Sequence, residues 1–124
     1  MVAGTLGKVY RDGETVIKQG RTGENFYVIQ QGRVEVVQTT EHGEQHLIYL
    51  DTGESFGEMA IFEKEVRSAT IRAVGDVRVL KVDRKTLLRR IQEDPLLALG
   101  LLRKMSARIR ELSVQLAAAE AKTR

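Results

Sequence analysis

The chain has 124 residues, the size of one ordinary domain, and its formal net charge at pH 7 is +3. It contains no cysteine, so disulfides, thiolate catalysis and zinc–thiolate sites are excluded. So small a charge does not indicate a nucleic-acid-binding surface. No apolar run approaches the roughly 20 residues that cross a bilayer, and residues 1–4 do not resemble the start of a signal peptide. We therefore expect a cytoplasmic protein without a membrane segment.

The first two thirds of the chain predict short β-strands separated by turns. Segments rich in β-branched and aromatic residues alternate with turn-forming dipeptides, among them Asp12-Gly13, Gln31-Gly32 and Gly75-Asp76. Gln31-Gly32 is expected to be a hairpin turn. Many short strands at this close spacing indicate a sandwich, a barrel or a roll. The strands are expected at residues 7–10, 15–18, 26–29, 33–37, 46–50, 68–74 and 77–82.

The sequence changes to a helical pattern at Asp83. This residue has the side chain of an N-cap, and we expect a first helix over residues 84–92. Asp94-Pro95, a cap residue followed by proline at the first helical position, predicts a second helix that continues to about residue 122. Only Gly100 weakens this helix, by about 1 kcal/mol relative to alanine.

The second helix carries an apolar stripe with heptad spacing, typical of a helix that packs against a partner helix. A helix of this length would extend about 40 Å, beyond the edge of so small a domain. We therefore expect a homodimer formed through this helix. The alternative is docking on the domain's own strands, which would account for Leu96, Leu97 and Leu101. The stripe consists of Leu102, Met105, Ile109, Leu112, Leu116 and Ala119.

One stretch of the sequence combines the residue types of a ligand site. Gly57 permits a tight turn into a short helix at Glu58, and the free N–H groups of such a helix start attract anions. The Glu58 carboxylate accepts hydrogen bonds from vicinal hydroxyls such as those of a ribose, and the Arg67 guanidinium presents a planar fork to a phosphate. Ser68 adds a hydroxyl, and Ala69 leaves room near the backbone. The alternative is an ion pair between Glu58 and Arg67.

This stretch resembles the phosphate-binding cassette of the cyclic-nucleotide-binding domain family. The family pattern is Phe-Gly-Glu, a short helix, and then arginine, a small residue and alanine. Glycine-marked segments at residues 13–20 and 23–34 extend the resemblance, which covers about residues 6–94. Val66 is a departure, because the family often has proline before the arginine, and we expect a slightly more mobile loop there. The matching segments are Phe56-Gly57-Glu58-Met59-Ala60 and Arg67-Ser68-Ala69-Thr70.

The resemblance implies a mainly β fold, a double-stranded β-roll that contains a short phosphate-binding helix and is followed by C-terminal helices. We divide the chain into a cyclic-nucleotide-binding β-roll at residues 1–94 and a long helix at residues 95–124, a lid or a dimerisation element. The resemblance implies that Glu58 accepts the ribose 2′-hydroxyl, and that Arg67 and Ser68 bind the cyclic phosphate. The expected ligand-binding residues are Gly57, Glu58, Met59, Ala60, Arg67, Ser68 and Ala69.

The expected ligand is cyclic AMP, with cyclic GMP as the alternative. In part of the family a threonine after the arginine is associated with better cyclic GMP binding, and this chain has Ser68 at that position. The expected function is a regulatory module that signals through its C-terminal helix. Two alternatives stay open: the sensor of a DNA-binding transcription regulator resembling the catabolite activator family, and a nucleotide-free dimerisation domain.

We expect no catalytic residue, metal site or cofactor. The sequence has no nucleophile elbow, P-loop or dinucleotide glycine motif, so an enzyme is not predicted. His42 and His46 are its two histidines, whereas a metal site needs three or more protein ligands with supporting contacts. No nucleic-acid-binding element is expected within this chain.

Overall fold

The computed structural model describes residues 7–57 and 65–122. The chain divides into two compact units, Met1–Thr86 and Leu87–Arg124. The strands lie in the first unit and the longer helix in the second. The described strands are β1 Lys8–Tyr10, β2 Thr15–Ile17, β3 Thr22–Gly23, β4 Phe26–Thr40, β5 Gly43–Asp51, β6 Ser55–Phe56, β7 Glu65–Val66 and β8 Thr70–Val82.

The described strands form two sheets, and every pair among them is antiparallel. The main sheet has the order β1-β8-β4-β5, with β2 paired to β8 and β6 paired to β4. The strands β3 and β7 form a separate two-stranded ribbon, in which Thr22 lies opposite Val66. The mainly β fold predicted from the sequence is confirmed, while the predicted short helix after Gly57 falls outside the described residues.

The two long central strands correct two of the predicted boundaries. Gln31-Gly32 is not a hairpin turn, because β4 continues through it. Gly32 has a φ of 108°, and the register with β8 shifts on both sides of Gln31. Gly75, with a φ of 70°, likewise lies within β8, where two strands were expected. A bulge and a tight turn both use a positive φ at glycine, so the dipeptides alone did not distinguish them.

The two interruptions lie opposite each other in the sheet. Gln31 pairs with Arg78 and Arg33 pairs with Val74, so both strands omit residues from the ladder at the same place. Bulges bend the strand that contains them and increase its twist. This paired irregularity lets β4 and β8 remain partners on both sides of a bend.

The core of the first unit is formed by apolar side chains from five strands of the main sheet. In β4 the buried positions, Phe26, Ile29, Val34 and Val37, do not simply alternate, and the register with β8 shifts between Ile29 and Arg33. The core residues are Ile17, Ile29, Val34, Leu50, Phe56, Ile71, Ala73, Val77 and Val79.

The two described helices match their predicted boundaries closely: α1 spans Arg84–Glu93 and α2 spans Pro95–Lys122. Both N-caps are confirmed. The Thr86 N–H donates to Oδ1 of Asp83 at 2.7 Å, and the Leu96 N–H donates to Oδ1 of Asp94 at 3.2 Å. These bonds satisfy N–H groups that the helix itself leaves without a partner.

The helix α2, all of which is described, has no buried residue. Among the stripe residues, Leu102 is 60% exposed, Ile109 64% and Leu116 60%. Over the described part of the chain, neither helix combines the length and apolar character needed to cross a bilayer. The stripe is therefore an apolar surface on an exposed helix.

We predict that Gly32→Ala lowers the free energy of unfolding by about 3 kcal/mol, the sum of backbone strain and overpacking. A β-carbon at Gly32 would lie 2.7 Å from Cγ2 of Val77 and 2.8 Å from the carbonyl oxygen of Asp76. The control is Gly13→Ala, whose φ of 82° is also positive but whose β-carbon would meet nothing within 4 Å. This control substitution should lower the free energy of unfolding by about 1 kcal/mol. Urea denaturation measures both, and equal losses would contradict a packed bulge at Gly32.

Candidate functional site

Backbone hydrogen bonds hold Arg67 against the segment that precedes β3. The Arg67 N–H donates to the carbonyl of Arg21 at 2.8 Å, and its own carbonyl accepts from the Gly20 N–H at 2.8 Å. Because Thr22 pairs with Val66 immediately before, these bonds continue the β3–β7 ribbon by one residue. Val66, the departure from the family pattern, thus lies in a paired strand.

The Arg67 guanidinium donates to two backbone carbonyls, one 42 residues and one 10 residues away in the sequence. Nη2 donates to the oxygen of Asn25 at 2.7 Å, and Nη1 donates to the oxygen of Gly57 at 3.4 Å. The second bond is long and therefore weak. The guanidinium fork has further N–H groups that can serve a ligand.

Strand pairing brings the two acceptor carbonyls together. Tyr27 pairs with Phe56 where β4 meets β6, and the two rings stack with their centroids 5.1 Å apart. Asn25 lies just before β4, and Gly57 lies just after β6. Since the two strands are antiparallel, the start of one lies beside the end of the other, and both carbonyls come within reach of Arg67.

Two glycines provide the space that the guanidinium occupies. A β-carbon at Gly23 would collide with the Arg67 guanidinium, and one at Gly57 would lie 3.0 Å from Nη1. Gly57 also has a φ of 81°, which side chains other than glycine rarely adopt. The sequence predicted Gly57 as a site residue. Gly23 and Asn25 were not predicted as site residues, and the glycine-marked segment at residues 23–34 was the only signal for them.

The other predicted site residues fall into two groups. Ser68 is exposed and Ala69 partly buried, and the Ser68 carbonyl accepts a hydrogen bond from Nε2 of Gln38 at 3.3 Å. Glu58, Met59 and Ala60 lie outside the described residues, so the expected roles of these three stay predictions. The structure thus places Gly57 beside Arg67, with Ser68 and Ala69 following in the chain.

The described hydrogen-bond partners of Arg67 differ in charge from those of two other arginines. Arg33 donates to Oδ1 of Asp51 at 2.7 Å, and Arg72 donates to Oε1 of Glu44 at 2.8 Å. These hydrogen bonds to carboxylates raise the pKa of both guanidinium groups. The described hydrogen-bond partners of the Arg67 guanidinium are neutral carbonyls, which orient the group. Such a group suits an anion.

The histidines are placed on the β4–β5 hairpin. His46 Nδ1 lies 2.7 Å from Oε2 of Glu35, and the exposed His42 lies beside Glu41. The described residues contain no group of three or more side chains that could hold a metal ion.

Residues 7–94 match the family model described as "Cyclic nucleotide-binding domain". The chain belongs to this family. The match includes every described strand of the main sheet and of the ribbon, together with Gly57 and Arg67. The resemblance read from the sequence is confirmed.

Similar proteins include a cAMP-dependent protein kinase regulatory subunit and a cGMP-dependent protein kinase. The chain is 44% identical over 81 residues to a cAMP-dependent protein kinase regulatory subunit of Blastocladiella emersonii, covering 64% of this chain and 20% of that protein. It is 42% identical over 80 residues to human cGMP-dependent protein kinase 2, covering 62% of this chain and 10% of that protein. The chain therefore spans a fifth or less of these two relatives.

The fold is also that of a solved structure in this group. The crystal structure of the catabolite activator protein of Thermus thermophilus matches with a TM-score of 0.77 and 31% identity. The match covers 95% of this chain and 57% of that one. The predicted fold class is thus confirmed by structure as well as by family.

We predict that Gly23→Ala displaces the Arg67 side chain and lowers the free energy of unfolding by about 2 kcal/mol, through a steric clash and a lost hydrogen bond. Gly23 has no positive φ, so the added methyl group acts through contact alone. The control Gly100→Ala adds the same group in open space within α2, where it should stabilise by about 1 kcal/mol. Urea denaturation and the NMR signal of the Arg67 Nε–H test this, and an unchanged signal in Gly23→Ala would refute it.

Proposed function

We propose that the chain binds a cyclic nucleotide through Arg67 and reports the binding to an effector. The observation that carries this proposal is the Arg67 guanidinium, oriented by the carbonyls of Asn25 and Gly57 and packed against Gly23. A cyclic phosphate diester carries one negative charge on two exocyclic oxygens. A guanidinium fork can donate to both oxygens at once, and such charge-assisted pairs are stronger than neutral hydrogen bonds.

The proposed roles of the remaining residues follow the family pattern. Ser68 donates its hydroxyl or backbone N–H to the phosphate, and its exposure supports this role. Glu58 accepts the ribose 2′-hydroxyl. Gly57, Met59 and Ala60 bring backbone close to the ligand, and Ala69 leaves room for it.

Among the cyclic nucleotides we propose cyclic AMP as the preferred ligand. The similar proteins named above include both a cAMP-dependent and a cGMP-dependent kinase, so similarity alone does not select one. Ser68 supports cyclic AMP, because threonine is the residue associated with better cyclic GMP binding at this position. We also propose that the chain has no catalytic activity of its own and works in the cytoplasm.

We predict that the wild-type chain binds cyclic AMP more tightly than cyclic GMP, and that Arg67→Ala weakens cyclic AMP binding about 100-fold. The reason is the loss of a charge-assisted pair to the phosphate. Isothermal titration calorimetry measures both affinities. The control is Arg33→Ala, which removes the same charge from an exposed ion pair with Asp51 and should leave the affinity unchanged.

Two results would contradict this proposal. One is the absence of binding heat with either nucleotide, from folded protein that is free of co-purified ligand. This result would favour a nucleotide-free dimerisation domain. The other is an equal loss of affinity in Arg33→Ala and Arg67→Ala, which would assign the effect to overall charge and not to a site at Arg67.

We propose further that α2 signals by pairing with α2 of a second copy of the chain. The heptad spacing of its apolar stripe and the exposure of Leu102, Ile109 and Leu116 support this role. A ligand that stabilises one arrangement of the helix would shift a two-state equilibrium between free and paired helices. Residues 1–94 would then be the sensor, and residues 95–124 would transmit the signal.

We predict that Ile109→Glu shifts the chain from dimer to monomer, because it places a charge in the apolar stripe. The control Ala107→Glu adds the same charge at an exposed position of α2 outside the stripe and should preserve the dimer. Sedimentation equilibrium, with and without cyclic AMP, measures the oligomeric state. A wild-type chain that is monomeric in both conditions would refute pairing through α2.

A second candidate effector is a DNA-binding domain. The similarity to the Thermus thermophilus catabolite activator protein extends over 95% of this chain, beyond the strands and into the helices, and this supports a sensor of the activator type. The length of the gene tests it, since a helix-turn-helix domain encoded after residue 124 would support this effector.

A further inference from the structure

The side-chain amide of Gln19 forms a two-bond bridge to the end of β4. Its Oε1 accepts a hydrogen bond from the Thr39 N–H at 2.8 Å, and its Nε2 donates to the Thr39 carbonyl at 3.1 Å. The pairing of β4 with β8 ends at Val37 and Thr70, two residues earlier. Beyond Val37, β8 no longer lies beside β4. There the Gln19 amide bonds to the β4 backbone as a strand residue would.

The backbone of Gln19 and of the two residues after it bonds to residues of the segment that contains Arg67. The Gln19 N–H donates to Oγ1 of Thr70 at 3.0 Å. The next two residues, Gly20 and Arg21, exchange both backbone hydrogen bonds with Arg67 at 2.8 Å each. The segment from Gln19 to Arg21 therefore contacts β4 through its first residue and Arg67 through the other two.

The β3–β7 ribbon that precedes Arg67 is too short to be rigid alone. Each of its strands has two residues, whereas an isolated two-stranded hairpin is marginally stable at best. The Gln19 amide joins the ribbon to the six-stranded main sheet. Gln38 adds a weaker connection, because its Nε2 donates to the Ser68 carbonyl at 3.3 Å.

We propose that Gln19 is a positioning residue that fixes the Arg67 guanidinium for the phosphate of the ligand. This inference rests on the proposed function and extends it to a residue outside the expected ligand-binding set. Without the Gln19 bridge, the ribbon and Arg67 adopt several positions relative to β4, and the ligand must select one of them. The binding free energy then becomes less favourable by the free energy of that ordering, which a pre-organised site does not have to supply.

The test is a double-mutant cycle for cyclic AMP affinity by isothermal titration calorimetry. Gln19→Met keeps the length of the side chain and removes both hydrogen bonds to Thr39. We expect it to weaken binding about tenfold when Arg67 is present. In the Arg67→Lys background, a point charge replaces the oriented fork. Gln19→Met should then reduce the affinity for cyclic AMP less than about twofold. Gln45→Met, at an exposed position of β5, is the matched control and should bind as the wild type does.

A purely structural role for Gln19 would give a different result. Thermal unfolding identifies variants that are folded at the temperature of titration. Should Gln19→Met fail this test, Gln19→Asn replaces it, because asparagine keeps the amide but is one methylene too short to bridge to Thr39. Equal losses of affinity in the wild-type and Arg67→Lys backgrounds would assign Gln19 to general stability and overturn the inference.

The experiment separates this inference from the proposed function. Wild-type affinity for cyclic AMP that Arg67→Lys reduces, together with unchanged affinity in folded Gln19→Met, overturns the positioning role alone. A wild-type chain that does not bind cyclic AMP overturns both. A loss of affinity in Gln19→Met that depends on Arg67 supports both.

Discussion

The pairing of β4 with both β6 and β8 is the constraint on which the position of Arg67 depends. Its pairing with β6 brings the carbonyls of Asn25 and Gly57 together at adjacent strand ends. Its pairing with β8 fixes the position of Thr70, three residues after Arg67. Each of these carbonyls would be available to water in an unfolded chain. They orient the Arg67 guanidinium because they are held side by side, and only the tertiary fold achieves this. The irregular ladder at Gly32 lets β4 stay paired with β8 on both sides of a bend, because it absorbs the bend without ending the strand.

Among the described residues, the hydrogen-bond partners of the Arg67 guanidinium are neutral, and this has an electrostatic consequence. A carboxylate partner, as for Arg33 and Arg72, gives a pair with little net charge and little attraction for an anion. Carbonyl oxygens orient the guanidinium through their dipoles and leave its unit charge in place. A hydrogen bond between charged and neutral groups is also weaker than an ion pair, so a phosphate can compete for the same group.

Sequence patterns predicted the elements of this fold better than the contacts between them. Strand composition located β2, β5 and the two halves of β4, and capping residues located α1 and α2. The two-residue strands β3, β6 and β7 were missed, because periodicity requires longer segments. The divisions at Gly32 and Gly75 were wrong for a different reason: a positive φ serves both a turn and a bulge, and only the partner strand decides between them.

The candidate site shows the same division between local and long-range information. Arg67 and Gly57 were predicted because the family pattern specifies an arginine and a glycine at these positions. Asn25 acts through its backbone carbonyl, 42 residues away from Arg67, and a carbonyl has no signature in the sequence. Gln19 was not predicted for a related reason, because its amide imitates a strand residue whose partner, Thr39, lies 20 residues away. A side chain that replaces part of a β-ladder is recognised only when the ladder itself is known. This explains why the residues that would hold a binding group in place are harder to read from a single sequence than the group itself.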